Sequence, residues 1–306
     1  MTEVSPKRLR ATLQRVGIDM SSTPAFLCAV SGGLDSMVLV HLFLTLGCPL
    51  RAIHIDHASH PESGQWAEWV REQLEAVDIP VVLHRLADEP VTGSLEEYWR
   101  NARRARFQQE LEAGEVLVTA HHQDDQAETL LLQLLRGAGP AGLQAMPLRS
   151  ELPDGRVHLR PLLGHSRDEL ERYATSQGVV WLDDPSNVDE RFARNFLRHS
   201  VIPRLTERWP GARSAIARSS ELIAESVMLN DELAALDTDI SSDGQRLDWS
   251  ALASLNRARQ ANAVRFWLQR CGVRLPSRRR LSEALRQWHE AADDRLPTLT
   301  LPEGAV

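Results

Sequence analysis

The most chemically specific residues of this chain are six in a row, Ser31 to Ser36, with the sequence SGGLDS. An apolar run, residues 25–30, precedes them, and an apolar run of helical length follows. Adjacent glycines let the backbone turn sharply and aim its N–H groups into one concavity, and the start of the next helix adds the positive end of its dipole. This order predicts a phosphate-binding loop, whose ligand-contacting residues are Ser31, Gly32, Gly33, Leu34, Asp35 and Ser36.

A second group of reactive side chains lies in residues 120–137, AHHQDDQAETLLLQLLRG. His121 and His122 end an apolar run, while Asp125 and Glu128 are three residues apart at a helix start and share one face. The helix dipole favours acids at that end, which is a sufficient structural explanation. No further His or Cys spacing supports a transition metal. A hard ion such as Mg²⁺, held jointly by nucleotide phosphates and one or two carboxylates, fits these side chains better.

Alternating strands and helices must position these two groups. The pattern predicts strands at 25–30, 50–56, 80–86 and 115–120, and helices at 6–16, 61–77, 94–113 and 124–136. Such alternation is typical of parallel βαβ units, so we expect an α/β fold with a doubly wound parallel sheet. Ligands of such sheets lie beyond the carboxyl ends of the strands. The loop Ser31–Ser36, the segment His54–His57 and the pair His121–His122 all follow strand ends, so we expect them to converge on one crevice.

The chain changes character after Pro210. Before it, residues 140–153 are rich in Gly and Pro and are interpreted as a loop, and another βα unit is expected at 157–163 and 166–177. Beyond it the pattern predicts helices alone, at 212–236, 250–272 and 277–292, before a short β-like pattern at the end. We therefore predict a nucleotide-binding catalytic domain over 1–210 and a small all-helical domain over 211–306.

The segment SGGLDS resembles the pyrophosphatase loop, or PP-loop, of the N-type ATP pyrophosphatases, and it lacks the lysine of a Walker A loop. Together with residues 120–137 it resembles the tRNA(Ile)-lysidine synthetases, also called synthases. Further similar segments are LEEYWRNAR at 95–103, RPLL at 160–163, WLDDPSNVD at 181–189 and FARNFLR at 192–198. The resemblance covers residues 25–290. Longer members of that family carry a further small C-terminal domain, and this chain stops where that domain would begin.

The resemblance implies a tRNA-processing ligase that uses ATP. ATP would adenylate the 2-carbonyl oxygen of the first anticodon cytidine of tRNA(Ile) with a CAU anticodon, and free L-lysine would displace AMP to form lysidine. The implied catalytic residues are Asp35, Asp125, His121 and His122, with Asp35 and Asp125 orienting Mg²⁺ and ATP. A carboxylate or one of the two histidines must also help the lysine amine to lose a proton.

The resemblance also implies residues that hold RNA. The tRNA or the α-phosphate would contact Arg100, Arg103, Arg136, Arg194, Asn195 and Arg198. The helical domain would hold the tRNA body through phosphate contacts of an arginine cluster that includes residues 278–280. Lys7 is the only lysine, so all other basic side chains are arginines, which match phosphate oxygens better. The net charge of −7 argues against a nonspecific nucleic-acid coat.

Composition limits the class of protein. At 306 residues and 42% hydrophobic, the chain is long enough for two domains with sizeable cores. No apolar run approaches a membrane span and the first residues do not resemble a signal peptide, so we expect a cytoplasmic protein with no membrane contact and no obligate protein partner. Two alternatives stay open: another PP-loop enzyme such as a tRNA thiolase, and an RNA-binding protein with an inactive nucleotide fold. A thiolase normally needs reactive cysteines, whereas no CxxC pattern joins Cys28, Cys48 and Cys271.

Overall fold

A computed structural model describes residues 3–22, 24–56, 62–86, 95–183, 190–238, 240, 247–273 and 275–290, with the backbone alone at 95–97. Contacts divide the chain into two compact units, Met1–Glu221 and Leu222–Val306. The domain boundary after residue 210 stays a prediction, because a helix that begins at Ala212 continues across this division. The predictions that concern His57, residues 184–189 and the C-terminal β-like pattern lie outside the described residues.

The first unit alternates strands with helices. Its elements are α1 (Pro6–Arg15), β1 (Phe26–Ala29), α2 (Leu34–Thr45), β2 (Leu50–Asp56), α3 (Ser63–Glu75), β3 (Val81–Arg85), α4 (Leu95–Glu110), β4 (Val116–Val118), α5 (Gln123–Leu135), α6 (Pro140–Leu143), β5 (Arg149–Glu151), β6 (Val157–Leu159), α7 (Arg167–Gln177), α8 (Ala193–Phe196) and α9 (Ile202–Arg208). Most of the predicted elements are present, with ends shifted by at most four residues.

The six strands form one sheet in the order β3-β2-β1-β4-β6-β5. All neighbours are parallel except β5, which pairs antiparallel with β6. Phe26 of β1 lies opposite Leu50 of β2 on one side and opposite Val116 of β4 on the other. The chain thus builds outward from β1 through β2 and β3, then returns to β4. This reversal leaves a crevice beyond the carboxyl ends of β1 and β4, and it confirms the predicted doubly wound α/β fold.

The β1 strand is buried on both faces of the sheet, which explains its unbroken apolar sequence. Phe26 and Cys28 pack on the side covered by α1, α2 and α7. Leu27 points to the opposite side, where it packs with Phe107 and Leu111 at the end of α4. A strand held between two apolar layers provides a rigid base for the loop that follows it.

One local prediction was wrong, and one helix contains an irregular turn. The stretch 140–153, expected to be a loop, contains α6 and β5, because a three-residue edge strand with the sequence RSE shows no apolar alternation. The helix from Ala193 to Arg208 contains a π turn, Leu197–Val201, between α8 and α9. Pro203 follows this turn and has no N–H to bond the carbonyl four residues earlier, so a wider turn accommodates it.

The described part of the second unit is helical: α10 (Ala212–Asp237), which extends into it from the first, then α11 (Trp249–Ala253), α12 (Arg257–Arg270) and α13 (Arg278–Glu290), with one β-bridge between Ile240 and Leu247. The helix predicted over 250–272 is two helices. Asn256 begins the second one, because its side chain accepts the N–H groups of Ala258 and Arg259 at 3.0 and 3.1 Å. The core is small and contains Leu252, Val264, Leu268, Leu281 and Leu285.

Candidate active site

Residues Ser31–Ser36 form a tight turn from β1 into α2. Ser36 Oγ donates to the carbonyl of Gly33 at 2.9 Å and accepts the N–H of Ser31 at 3.3 Å. Ser31 Oγ accepts the N–H of Gly33 at 3.3 Å. Gly33 is the N-cap of α2, and it provides no side-chain cap. The first N–H groups of α2 are therefore free to face a ligand, which is the arrangement that binds phosphate.

Gly32 has no room for a side chain. Its φ is +88°, and an added Cβ would lie 2.8 Å from Cγ2 of Val70 in α3. On its other side, the Gly32 carbonyl accepts the N–H of Leu182 at 2.9 Å. Leu182 and its neighbour Asp183 consequently line the crevice beside the loop. Only glycine satisfies both the left-handed backbone and the close approach of α3.

His122 joins the residues that follow β1 and β4. It is the N-cap of α5: its Nδ1 accepts the N–H of Asp124 at 3.2 Å, and its own backbone N–H donates to Asp125 Oδ2 at 3.0 Å. Its Nε2 lies 3.5 Å from Asp35 Oδ2 and 3.5 Å from Asp125 Oδ2. The structure thus brings three of the four predicted catalytic residues together, Asp35, His122 and Asp125.

The charges of this cluster depend on one another. Burial opposes the charged form of His122, but the carboxylates of Asp125 and Asp35 outweigh it and raise the pKa of His122 to about 9. Protonation of Nδ1 would break its bond from the Asp124 N–H, so that bond describes the neutral ring, whose proton lies on Nε2 towards the two carboxylates. Burial likewise opposes the charge of Asp125, but His122 and Arg194 hold the pKa of that carboxyl below its usual range. The Oδ1 atom of Asp35 is buried and has no partner among the described residues.

Glu128 pairs with two arginines that the sequence suggested for RNA contact. The Arg194 Nε donates to Glu128 Oε2 at 2.7 Å, and the Arg198 Nε donates to Glu128 Oε1 at 2.6 Å. The Arg198 guanidinium also donates to Asp125 Oδ1 at 3.0 Å. The Glu128 side chain is only 1% exposed. Both guanidinium groups therefore serve as counter-ions within the protein, and RNA contact by Arg194 and Arg198 stays a prediction.

His121, the fourth predicted catalytic residue, belongs to a different hydrogen-bonded chain. Its Nδ1 lies 2.8 Å from Thr119 Oγ1, which lies 2.9 Å from His158 Nε2 of β6. The other nitrogen of His158, Nδ1, is 3.2 Å from the Arg160 guanidinium. Burial lowers the pKa of His121 to about 3 and that of His158 to about 2. Both imidazoles are consequently neutral.

The remaining predicted RNA-contacting residues are spread along three helices. Arg100 and Arg103 are exposed on α4, and Arg103 is close enough to His121 to lower the pKa of that imidazole. Arg136 is exposed at the C-terminal end of α5, about 16 Å along the helix from Asp125. Asn195 lies on α8 and is partly buried. Arg136 is thus not brought to the cluster around His122.

The crevice has a volume of about 380 Å³. Its ionisable lining is balanced between five acidic and five basic side chains: Asp35, Asp124, Glu128, Asp168 and Asp183, and His122, Arg167, Arg198, His199 and Arg213. Sequence analysis did not single out Arg167 or Arg213. The Arg213 Nε lies 3.1 Å from Asp124 Oδ2, and an Arg167 guanidinium nitrogen lies 3.5 Å from Asp35 Oδ2. The N-cap serine before α7 was a signal that could have placed Arg167 at a helix start beside the sheet.

The side chains suit a hard cation that is shared with a ligand. Among the described residues, no group of three or more His, Cys, Asp or Glu side chains could hold a metal ion unaided. The unpartnered Oδ1 of Asp35 is a free carboxylate ligand beside the loop. Asp125 has partners on both oxygens, from Arg198 and from the backbone of His122. Asp35 therefore fits a Mg²⁺ ion better than Asp125 does.

The fold and this loop define a PP-loop nucleotide-binding domain, and a model of the PP-loop domain family matches residues 1–205. A second model, the TilS substrate binding domain, matches residues 247–306. The chain belongs to the tRNA(Ile)-lysidine synthase family. A relative of that name from Alkalilimnicola ehrlichii is 42% identical over 313 residues, covering 99% of this chain and 68% of the relative. The predicted family is thereby confirmed.

Two further relatives extend this comparison. The tRNA(Ile)-lysidine synthase of Pectobacterium atrosepticum is 44% identical over 92% of this chain and 64% of its own length, and that of Pseudomonas putida is 41% identical over 93% and 69%. The chain therefore spans about two thirds of the length of these curated relatives. A solved structure of a U34-tRNA thiolase from Methanococcus maripaludis, with its 4Fe-4S cluster, matches with a TM-score of 0.57 and 20% identity, covering 72% of this chain and 77% of the thiolase. That likeness shows a shared fold alone.

Proposed function

We propose that this chain is an ATP-dependent ligase that forms lysidine at the first anticodon cytidine of tRNA(Ile) with a CAU anticodon. The observation that carries the proposal is the PP-loop, with the uncapped start of α2, beside the cluster of Asp35, His122 and Asp125. Relatives named tRNA(Ile)-lysidine synthase match almost the whole chain, which supports the choice of this reaction among those of PP-loop enzymes.

The reaction needs two steps, because the 2-carbonyl of cytosine is a poor electrophile with no leaving group. In the first step the carbonyl oxygen attacks the α-phosphorus of ATP, the bond to the β-phosphate oxygen breaks, and pyrophosphate leaves. In the second step the ε-amine of lysine attacks C2 of the base and loses a proton. The C2–O bond then breaks, AMP leaves, and lysidine remains.

The residues around the crevice would have different roles in these two steps. The N–H groups at the start of α2 and the Ser31 hydroxyl would hold the phosphates and the departing pyrophosphate, while the Ser36 hydroxyl, bonded to the Gly33 carbonyl, holds the turn in place. Asp35 would hold a Mg²⁺ ion shared with the phosphates, whose charge offsets that of the pyrophosphate. His122 contacts both Asp35 and Asp125 and would keep the two carboxylates at fixed positions. Arg198, on the crevice wall, would approach the α-phosphate or the tRNA if Glu128 released it.

The partners follow from the same chemistry. The substrates would be ATP, free L-lysine and the tRNA, and exposed arginines of the second unit would contact tRNA phosphates. An enzyme with these substrates would act in the cytoplasm. Among the residues that the structure describes, no helix is long and apolar enough to cross a membrane.

Replacing Asp35 by Asn tests the proposal. We expect the variant to fold and to form AMP at a rate reduced by about 100-fold or more, the scale of a lost preorganised charged group. Asp168→Asn is the matched control, because it removes the same charge from the same crevice at a residue that is not part of the cluster around His122. Its rate of AMP formation should fall only a few-fold. AMP and pyrophosphate release would be measured with the tRNA present and with lysine or tRNA omitted.

The reaction scheme predicts which products the unmodified protein releases with each set of substrates. Pyrophosphate release should require the tRNA, and lysidine should form only when lysine is also present. Pyrophosphate release that ignores the tRNA, or near-normal AMP formation by Asp35→Asn, would contradict the proposal.

A further inference from the structure

Arg160, His158, Thr119 and His121 form a hydrogen-bonded series, and the chemistry of these groups decides which of them donates and which accepts at each step. An arginine guanidinium only donates, so Nδ1 of His158 accepts at 3.2 Å. A neutral His158 then carries its one proton on Nε2 and donates it to Thr119 Oγ1, 2.9 Å away. Thr119 is left with its single O–H and a contact of 2.8 Å to His121 Nδ1.

Thr119 decides which nitrogen of His121 carries the proton. If the hydroxyl donates to His121 Nδ1, the His158 Nε2–H and the Thr119 O–H both have acceptors, and the His121 proton sits on Nε2. In the alternative both histidines donate to Thr119, and its buried O–H has no acceptor among the described residues, since the side chain contacts only these two rings. An unsatisfied buried donor costs about 1–3 kcal/mol, so the first arrangement is favoured.

The surroundings of His121 indicate what its Nε2–H meets. Within the described part of the chain this nitrogen makes no hydrogen bond, so the proton is available to a ligand. Four charged groups act on the ring: Asp125, which favours its charged form, and Arg160, Arg194 and Arg103, which oppose it. An N–H donor without a protein partner matches an anionic oxygen, and phosphate oxygens belong to both substrates of the proposed reaction, ATP and tRNA.

Both ring nitrogens of His122 also have partners. His122 Nδ1 accepts the N–H of Asp124 and its Nε2 faces the carboxylates of Asp35 and Asp125. Neither histidine therefore presents a lone pair to the crevice. Of the groups that the sequence suggested as the base for the lysine amine, a carboxylate is therefore favoured over these two histidines.

We propose that Thr119 and His158 are positioning residues, which hold His121 as a neutral imidazole with its proton on Nε2, so that His121 donates a hydrogen bond to a substrate phosphate oxygen and does not act as a base. The catalytic part of this assignment rests on the proposed function. The tautomer itself does not, because it follows from Arg160, His158 and Thr119 alone.

The tautomer can be measured directly. In the full chain with ¹⁵N-labelled histidine, long-range ¹H–¹⁵N correlation spectra at pH 7 distinguish the two nitrogens of each ring, and His121→Asn identifies the His121 signals. We expect the proton of His121 on Nε2. Thr119→Val keeps the shape but removes the hydroxyl, so the signals should move to a mixture of tautomers, and Thr119→Ser should restore the original pattern.

A second pair of variants keeps the test decisive if Thr119→Val does not fold. Gln at position 158 can accept from Arg160 and donate to Thr119, whereas Leu can do neither. His158→Gln should therefore preserve the His121 tautomer and His158→Leu should lose it. Melting temperatures, measured on all variants, separate loss of the tautomer from loss of the fold.

Kinetics test the role of the donor. Thr119→Val and His158→Leu should lower lysidine formation at least about tenfold, since a misdirected donor loses part of the 10²–10³-fold that a complete deletion costs. Measuring KM for ATP and for tRNA separately shows whose phosphate the donor meets, because only that KM should rise.

Three results would overturn the proposal: a His121 proton on Nδ1, an unchanged tautomer in both Thr119→Val and His158→Leu, or a changed tautomer with full activity. If the chain makes no lysidine at all while the tautomers behave as expected, the proposed function fails, and with it the donor role, whereas the positioning by Thr119 and His158 stands.

Discussion

Two groups of arginines, one in each unit, are used in opposite ways. In the first unit Arg194 and Arg198 bind Glu128, and Arg213 binds Asp124, so the crevice wall is a network of internal ion pairs. In the second unit residues 278–280 start α13 with three exposed arginines, for which the described structure contains no ion pair. One group stabilises the site, and the other is available to an external phosphate.

This difference shows that a basic segment does not reveal its own role. FARNFLR and SRRRL look equally suited to RNA in the sequence. What separates them is a buried acid, Glu128, some 70 residues away from Arg198 along the chain. A short buried carboxylate contact makes an arginine structural, while an exposed helix start leaves it free to bind phosphate.

The largest effect is expected when the charge of Glu128 is removed. Glu128→Gln leaves Arg194 and Arg198 without their main partner, and breaking such a pair costs about 3 kcal/mol of the free energy of unfolding. The matched control is Glu115→Gln, because Glu115 is also buried and binds Arg51 through both oxygens, at 2.8 and 3.0 Å, just before β4 at the opposite end of the sheet. Urea unfolding would measure both losses.

Activity separates these two variants. Glu115→Gln should keep its turnover at a temperature where it is folded, whereas Glu128→Gln should not, because Glu128 and its partner Arg198 both line the crevice. Equal activity in both variants would mean that the Glu128 network is structural only.

A smaller effect concerns acid. Burial and, to a smaller extent, the positive charge of Arg8 lower the pKa of His165 to about 4 in the folded chain, against 6.5 for an ordinary histidine. The unfolded chain therefore binds a proton at His165 more readily than the folded chain does. Above pH 6.5 this difference costs no stability, and as the pH falls from 6.5 towards 4 the free energy of unfolding decreases by about 1.4 kcal/mol per pH unit. Urea unfolding of His165→Gln at pH 7.5, 6.0 and 5.0 should give a shallower dependence on pH. Parallel curves for the two proteins would show that His165 is not the group involved.

The arginine triplet should change binding rather than stability. Replacing Arg278, Arg279 and Arg280 by Ala should weaken tRNA binding and reduce the slope of log K against log salt by roughly 0.7 to 0.9 for each lost phosphate contact. Arg286→Ala is the control, because Arg286 on the same helix is already paired with Glu283 and Glu290. ATP binding should be unchanged in both. A slope that does not change would place the contact with tRNA elsewhere.

The smallest effect is expected from the cysteines. Cys28 is fully buried in β1, and burial moves the pKa of its thiol far above the usual range, so it cannot supply a thiolate. A variant with all three cysteines changed to Ala should keep most of its activity and lose about 1–2 kcal/mol of packing at residue 28. Loss of turnover in a variant that remains folded would favour the thiolase alternative.

Much of the fold could be predicted, because its signals are local. Apolar runs of strand length, helical periodicity and the glycines at 32 and 33 lie within single segments, and strand alternation then fixes where the loop and His121–His122 meet. The edge strand β5 could not be predicted, since three residues carry no period. The pairing partners of the site were also hidden: Thr119 meets His158, and Arg194 meets Glu128, only after the sheet and helices have packed.

The sharing of Glu128 between two arginines constrains the order in which these residues can change during evolution. Losing Arg194 alone leaves Glu128 paired with Arg198, and losing Arg198 alone leaves it paired with Arg194, so either step is tolerable by itself. Losing Glu128 first removes the main partner of two cations at once. The acid is therefore the last of the three that a lineage can replace, although it is the most buried of them.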